Sequence, residues 1–282
     1  MSWRWFDSDL LQFLRRPHFN DGQCESLSVR PWIGWVGVIL LADMATGAMG
    51  HGIIFALGHK PPPDKAIMHL ISHPSWLVLA ILLLAPILEE LTFRAFLSTN
   101  RFLVFLGSGM FVATLGRMVM LMVHKPETTH LVFSHYLLGV ALLVPLLAAY
   151  GVVWWLAGRW IMAFFQRFPV PIFWLSCLVF GAAHSFNFET GVQPWLLLLT
   201  LPQISAGVVL GYIRVRHGLR WSIATHMAID YPAVLGAWIV VMARPTLGIK
   251  AAGALGAVMF FAVFGLLIYG MVGLARARRL AA

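Results

Sequence analysis

Charged residues are scarce in this sequence. Asp, Glu, Lys and Arg make up 11% of the 282 residues, whereas hydrophobic residues make up 60%. A soluble domain has about 25% charged residues, and a water-soluble fold of this size could not bury so much apolar surface. The composition therefore argues against a soluble enzyme, a nucleic-acid-binding module and a disordered chain. It is typical of an integral membrane protein, in which the lipid bilayer contacts the apolar side chains.

Cysteine is also nearly absent, and the two that occur, Cys24 and Cys177, cannot form a disulfide framework. The sequence shows no internal repeat, no low-complexity tract and no long soluble insertion. A single membrane domain is the simplest organisation that fits these absences.

The first thirty residues lack the uninterrupted apolar core and the small-residue cleavage site of a secretory signal. Apolar side chains recur at helical spacing from Trp3 to Leu14, and Arg15 and Arg16 follow. This pattern predicts a short helix lying in the membrane interface. A mobile polar leader is an equal alternative at this point.

Eight apolar segments approach or exceed the length of about 20 residues that crosses the hydrocarbon core. They cover residues 32–57, 75–97, 102–123, 131–157, 170–187, 194–213, 221–243 and 250–274. We therefore predict an all-α, polytopic membrane protein with about eight transmembrane helices. Residues 1–31 would form a cytoplasmic or interfacial segment, and residues 32–282 a single transmembrane domain.

The distribution of Lys and Arg predicts the orientation of these helices. If both termini are cytoplasmic, the inner segments hold fourteen of these residues, Arg94 and Arg214 among them, and the outer loops hold five. Cytoplasmic loops of membrane proteins carry such an excess of positive charge. We therefore expect both termini in the cytoplasm.

Several ionisable residues lie inside predicted spans, where each costs at least a few kcal/mol and so requires a reason. Asp43 lies in the first span and Arg117 in the third, and the two are candidate partners in a structural ion pair. The second, fifth and seventh spans together supply two Glu, two His and one Asp: Glu89, Glu90, His184, His226 and Asp230. Such a set can hold a metal or activate a water.

Helical geometry separates the two adjacent glutamates, because consecutive residues point about 100° apart. Arg94 follows Glu90 by four residues, the favourable spacing for an ion pair within a helix. Glu90 is therefore expected to pair with Arg94, which leaves Glu89 free as a general base. The alternative for this segment is a buried ion pair with Glu89 reaching lipid headgroups.

His226 and Asp230 are also four residues apart, so they share one helix face and can converge on one water or ion. An Asp that only orients a structural His is the alternative for this pair. His184 by itself is ambiguous, because a His on a helix often hydrogen-bonds a neighbouring backbone group.

The three segments read E-E-x-x-x-R, F-x-x-x-H and H-x-x-x-D in this order, each in a separate predicted span. This ordered set resembles the CAAX-protease and bacteriocin-processing family (CPBP, also called ABI), which includes the eukaryotic Ras-converting prenyl-protein endopeptidases. The resemblance covers residues from about 84 to 237. It implies an intramembrane endopeptidase, usually described as a metalloprotease, although a glutamate-type mechanism without metal is also argued.

The resemblance also assigns roles to individual residues. Glu89 would activate the water, His184 would help to orient or deprotonate it, and His226 with Asp230 would stabilise the oxyanion. The prenyl-protease branch commonly has Asn at the position of Asp230, and an ionised Asp cannot donate a hydrogen bond. Asp230 must therefore be protonated, hold His226 in its charged form, or ligate a metal.

The cofactor stays open between none and zinc. Glu89, His184, His226 and Asp230 would provide a nitrogen and oxygen donor set for Zn²⁺, but the H-E-x-x-H signature is absent.

We therefore expect an intramembrane peptidase that acts on a membrane protein or a lipidated peptide in a bacterial cytoplasmic membrane. A prenylated CAAX tail, a pheromone or bacteriocin precursor and a sorting-signal anchor all suit the motifs. The alternatives are a non-proteolytic scaffold or immunity protein with the same fold and, less favoured, an ion-coupled transporter, for which no pseudo-symmetric broken helices are found.

Helix lengths raise one difficulty for this site. From the cytoplasmic ends of the predicted spans, Glu89 lies about 12 Å in, but His184 lies about 20 Å in if its helix starts at Val170. The side chains can then meet only if that helix starts below the membrane surface or is strongly tilted.

Overall fold

The computed structural model describes residues 4–19, 24–62, 75–123, 132–188 and 193–231, together with isolated helical positions from 248 onwards. These parts of the chain are helical and contain no β-strand. The helices are α1 (Arg4–Arg15), α2 (Val29–Ala56), α3 (Ser75–Phe93), α4 (Arg101–Val123), α5 (Val132–Arg167), α6 (Pro169–His184), α7 (Leu201–His217) and α8 (219–231).

Four segments of the described chain are long and apolar enough to cross a membrane: Pro31–Ala56, Arg101–Met120, Pro145–Arg167 and Pro169–Asn187. They overlap the first, third, fourth and fifth predicted spans. The predicted second and sixth spans overlap α3 and α7, and α8 covers the first part of the seventh. The last predicted span, 250–274, lies outside the continuously described residues, so the count of eight stays a prediction.

The bounds predicted for the sixth span are wrong. Its first residues form a short 3-10 segment, Pro194–Leu198, and α7 begins only at Leu201. A proline at the start of each piece suits a first helical turn, where its missing N–H is not needed. The short segment packs so closely on α2 that a Cβ at Gly50 would lie 2.1 Å from the Leu198 carbonyl oxygen.

Helix α1 packs against α6 and α7. Leu10 and Phe13 are buried in the main hydrophobic core, and the Phe13 ring lies edge-on to Phe173 of α6 and Tyr212 of α7. Beyond α1, the Glu25 backbone N–H donates to the Arg216 carbonyl. The helix predicted from the N-terminal sequence is therefore present, and its residues Leu10 and Phe13 pack against other parts of the protein.

Helix α7 lies at the centre of the described bundle, with α2 and α6 packed along it. Glycines permit this close packing, because a Cβ at Gly211 would lie 2.7 Å from the Phe173 ring and one at Gly181 would lie 2.2 Å from Ile204. Phe173 and Phe180 of α6 fill the core beside it. Helix α6, which carries His184, is thus held close to α7 at these glycines.

The C-terminal end of α3 is buried inside the protein. Ser176 of α6 donates a hydrogen bond to the Phe93 carbonyl. Arg214 of α7 donates through Nε to the Arg94 carbonyl at 3.2 Å and through a terminal nitrogen to the Ala95 carbonyl at 3.5 Å. These donors pair carbonyl groups that a helix end leaves without intrahelical partners.

This arrangement corrects the placement of two arginines. Arg94 and Arg214 were counted among the positive charges of the inner segments, but their exposed fractions are 0% and 1%. Without them, twelve of the fourteen inner positive charges remain, still more than the five outer ones. The predicted orientation therefore rests on the other residues of the inner segments.

Candidate active site

Two histidines enter the site from different helices, and each is oriented through its Nδ1 atom. His184 is the last residue of α6, and its Nδ1 lies 2.8 Å from the Phe180 carbonyl oxygen. His226 of α8 has its Nδ1 2.9 Å from Oε1 of Glu90. Because both partners are acceptors, each Nδ1 must carry the proton in these hydrogen bonds. The Nε2 atom of each ring is left to face the site.

Both Nε2 atoms face the same oxygen of Glu89. Oε2 of Glu89 lies 3.9 Å from Nε2 of His184 and 3.6 Å from Nε2 of His226. Oδ2 of Asp230 lies 3.7 Å from the same His226 nitrogen. These separations exceed a direct hydrogen bond, and polar groups at such distances are commonly bridged by water. The structure thus brings together the four side chains singled out from the sequence.

The exposure of these side chains differs in a systematic way. Glu89, His184 and Asp230 are 32%, 22% and 37% exposed, whereas the His226 side chain is 4% exposed. A reacting group must be reachable by water and substrate, so the first three lie where a polypeptide could approach. His226 is instead held on its buried side by Glu90.

Both carboxylate oxygens of Glu90 have buried partners: Arg94, His226 and Ser222. Its Oε1 forms an ion pair with Arg94 at 3.1 Å, and both side chains are 0% exposed. The same oxygen accepts a hydrogen bond from His226 Nδ1. Its Oε2 accepts a hydrogen bond from Ser222 of α8. The contact with Arg94 has the geometry that the spacing predicts. The contacts with His226 and Ser222 could not be found from spacing, because 132 or more residues separate the partners.

Phe180 connects the two histidines to Arg94. The Arg94 guanidinium carbon lies 3.8 Å from the centre of the Phe180 ring, close enough for a cation–π contact. The same ring is edge-on to His184 and His226, with centroid separations of 4.7 and 5.8 Å. Sequence reasoning did not assign Phe180 a role. Its position four residues before His184 was the available signal, since a carbonyl at that spacing can accept from a helical side chain.

The difficulty over helix depth concerns α3 and α6, whose site residues Glu89 and His184 lie 3.9 Å apart. Helix α6 begins at Pro169, within one residue of the predicted start, so the start of this helix does not explain how His184 reaches Glu89. The predicted span of α3 ended near a membrane surface, but residues 94–98 that follow the helix are all buried. The segment after Glu89 is therefore enclosed by the protein rather than exposed.

The zinc alternative was tested against the arrangement of possible ligands. Among the residues that the structure describes, no three His, Cys, Asp or Glu side chains form a group with metal-binding geometry. The four predicted donors are atoms of the kind that bind zinc, but their arrangement does not fit a metal-binding group.

Asp43 has a different partner from the one considered in the sequence. Its Oδ1 accepts a hydrogen bond from Ser205 of α7 at 3.0 Å. Asp43 is thus tied to α7 by a hydrogen bond that sequence reasoning did not foresee.

The comparisons with known proteins give one match. No curated protein and no solved structure shows significant similarity to the chain. The family described as type II CAAX prenyl endopeptidase Rce1-like matches residues 70–232, a region that holds Glu89, Glu90, Arg94 and the three site residues of α6 and α8. The match covers more than half of the 282 residues and extends through most of the predicted core of 84–237. The chain therefore belongs to the Rce1-like family of type II CAAX prenyl endopeptidases, a family of membrane-embedded peptidases.

Proposed function

We propose that this protein is an intramembrane endopeptidase that cleaves a membrane-associated or lipid-anchored polypeptide with a water activated by Glu89 and His184. The observation that carries the proposal is the convergence of two imidazole Nε2 atoms on one oxygen of Glu89, at 3.9 and 3.6 Å. A water placed between these groups would contact the Glu89 carboxylate as base and the His184 Nε2 atom, which would fix the orientation of the water.

In the first step, Glu89 takes a proton from this water. At the same time, the oxygen of the water attacks the carbonyl carbon of the scissile peptide bond. The carbonyl oxygen becomes an oxyanion. In the second step, the carbon–nitrogen bond breaks and the proton held by Glu89 passes to the leaving amine. The second proton of the water is lost from the new carboxylic acid, so no cosubstrate is needed. Proton transfer by a placed side chain typically accelerates such a reaction by about 10²- to 10⁴-fold.

His226 is suited to stabilise the oxyanion. Its Nδ1 proton is committed to Glu90, so a second proton on Nε2 gives the charged imidazolium, a strong hydrogen-bond donor. Asp230 at 3.7 Å from Nε2 would hold the ring in this charged form. This role requires no proton on Asp230 and selects one of the three options that the sequence left open.

Glu90 and Arg94 act as positioning residues in this proposal. The Glu90 carboxylate fixes the orientation of His226, and Arg94 neutralises the carboxylate in a fully buried setting. Unlike Glu89, Glu90 has no free oxygen and no solvent exposure with which to reach a water.

Substrate trapping with Glu89→Gln tests the function. Wild type and variant are expressed in membranes, and the cross-linked or co-purified polypeptides are compared by mass spectrometry. We expect intact substrates to accumulate on the variant and their fragments to appear only with wild type. Leu88→Ala is the matched control, because Leu88 lies on the same turn of α3 and is 52% exposed.

The Glu89→Gln variant also separates the other functions considered. A scaffold or immunity protein would keep its cellular phenotype in Glu89→Gln and yield no fragments from wild type. Ion-coupled transport would appear as Glu89-dependent solute uptake into proteoliposomes without peptide-bond cleavage.

The proposed orientation places both termini in the cytoplasm. Cys24 is exposed near the N-terminal end, whereas Cys177 is buried, so only Cys24 should react with a maleimide that cannot cross membranes. We expect labelling from the cytoplasmic side of oriented vesicles. Labelling of intact cells from outside would contradict the orientation.

A further inference from the structure

Helix α8, which carries one histidine of the site, is held on two different faces. On one face, Trp32 Nε1 of α2 donates a hydrogen bond to Thr225 Oγ1 at 3.0 Å. On another face, Ser222 and His226 contact Glu90 of α3. Consecutive residues of a helix point about 100° apart, so Thr225 and His226 lie on neighbouring faces. The contact with α2 is therefore separate from the contact with Glu90.

The hydrogen bond between Trp32 and Thr225 belongs to a small buried network. Thr225 is 0% exposed, and its hydroxyl donates to the Trp221 carbonyl at 2.7 Å. Because the hydroxyl proton is used within α8, the oxygen is left to accept from the indole N–H. The rings of Trp32 and Trp221 also lie in contact, with centroids 6.2 Å apart. Helix α2 thus meets α8 through one directed hydrogen bond and one aromatic contact.

Helix α2 can fix α8 only if it is itself held in place. Just before α2, the Glu25 backbone N–H donates to the Arg216 carbonyl at 2.9 Å, and His217 Nδ1 lies 3.1 Å from the Glu25 carbonyl oxygen. Further along α2, Asp43 accepts a hydrogen bond from Ser205 of α7 at 3.0 Å. These contacts lie on both sides of Trp32 in the sequence, so they set the position of its helix relative to α7.

The rotation of α8 about its own axis matters for the reaction. His226 is bound to Glu90 through Nδ1, while its Nε2 lies 3.6 Å from Oε2 of Glu89. Contacts on this one face leave the helix able to turn about them, and such a turn moves Nε2 relative to Glu89. A displacement of about 1 Å can lower a rate by about 10²-fold. The hydrogen bond to Thr225 on the neighbouring face opposes that turn.

We propose that Trp32 is a positioning residue, which fixes the rotation of α8 through Thr225 and thereby places His226 Nε2 beside Glu89. This inference rests on the proposed peptidase function. It adds to the site a helix that lies outside the residues 70–232 matched by the family. Trp32 acts through the buried Thr225 and not on the substrate, so its loss should affect the chemical step rather than substrate binding.

The test measures cleavage of a fluorogenic, lipid-anchored peptide that contains the cleavage site identified by substrate trapping. Trp32→Phe keeps an aromatic ring and removes the N–H donor. We expect kcat per folded protein to fall about tenfold and KM to change by less than about twofold, because His226 is displaced while the substrate contacts stay intact. Trp155→Phe is the matched control: Trp155 of α5 is 81% exposed, and the same chemical change there should leave kcat unchanged.

Variants of Thr225 separate positioning from stability. Thr225→Val should lower kcat as much as Trp32→Phe does, and Thr225→Ser, which keeps the hydroxyl, should recover most of that loss. Combining Trp32→Phe with Thr225→Val removes both polar partners, so the thermal unfolding temperature should return towards that of wild type. The kcat of this double variant should nevertheless stay about tenfold low, whereas two independent effects would multiply to about 100-fold.

The outcomes distinguish this inference from the function on which it rests. If Trp32→Phe does not fold, the two Thr225 variants decide with the same measurements. An unchanged kcat in the folded variants, a kcat that recovers together with stability in the double variant, or a multiplied loss would each overturn the role of Trp32 and leave the peptidase function intact. If wild type does not cleave the peptide, both the function and the role of Trp32 are wrong.

Discussion

Two adjacent glutamates of one helix have opposite environments. Glu90 is fully buried, with an ion pair to Arg94, a hydrogen bond from His226 and another from Ser222. Glu89 is 32% exposed, and its nearest site partners lie 3.6 and 3.9 Å away. The same side chain thus serves as a fixed support at one position and stays available for chemistry at the next.

The comparison shows how a membrane protein can keep a reactive acid without losing stability. Buried charges cost several kcal/mol unless they are paired and hydrogen-bonded, and Glu90 satisfies both conditions. Glu90 also orients His226 through its Nδ1, so the cost of burying this carboxylate is offset where a rigid ring is needed. Glu89 needs no such pairing, because its side chain is partly exposed to solvent.

The largest effect is expected from Glu89→Gln, which removes the base and keeps the size of the side chain. The cleavage rate should fall by about 10²- to 10⁴-fold, whereas the thermal unfolding temperature in detergent should stay within the error of wild type. Rates on a trapped substrate and unfolding curves check both parts. Substantial remaining cleavage would assign the base to another group and remove the functional difference between the two glutamates.

Glu90→Gln should have the opposite result. It leaves the Arg94 charge buried without a counter-charge, and breaking a buried pair costs about 3–5 kcal/mol of the free energy of unfolding. The yield of folded protein should therefore drop. Glu25→Gln is the control, because it breaks an exposed pair with Arg216 at 3.2 Å and should cost no more than about 1 kcal/mol. Full activity and normal yield of Glu90→Gln would contradict the supporting role.

Ser222→Ala tests the support of Glu90 more gently. It removes the donor to Oε2, and the Leu210 carbonyl also loses its contact with this hydroxyl. We expect a loss of about 1–3 kcal/mol in stability and a smaller loss of activity than in Glu89→Gln. Thermal unfolding and cleavage rates measured on the same preparation provide the test. A loss of activity without any change in stability would instead place Ser222 on the reactive side.

The smallest effect is expected from metal removal. The described side chains around Glu89 do not form a metal-binding group, so a strong chelator should leave the cleavage rate nearly unchanged. Metal analysis of the purified protein accompanies the assay. Loss of activity on chelation, restored by added zinc, would show that Glu89 and the histidines act as ligands.

Much of the site could be predicted because its information is local. The pairing of Glu90 with Arg94 and the shared face of His226 and Asp230 both follow from four-residue spacing on a helix. The apolar composition likewise predicts membrane helices, and four candidate spans are present in the described chain. Periodicity within one helix is sufficient for predictions of this kind.

The other contacts are tertiary and leave no such periodic signal. The hydrogen bond between Glu90 and His226 and the burial of Arg214 depend on how separate helices pack. An arginine next to an apolar run has the same sequence pattern whether it faces headgroups or the carbonyl groups of a neighbouring helix. Asp43 was assigned to an ion pair with Arg117 of another span, because its hydrogen bond to Ser205 of α7 cannot be derived from the sequence of α2 alone.

Arg214 has a consequence for how the chain can vary in length. It fastens the residues just after α3, only one turn beyond the two acids, to a helix 120 residues further along the sequence. A single inserted residue between Glu90 and Arg94 would rotate the acids by about 100° relative to that anchor. Natural variants and engineered chimeras should therefore tolerate added or missing residues in the loops, but not in this one turn.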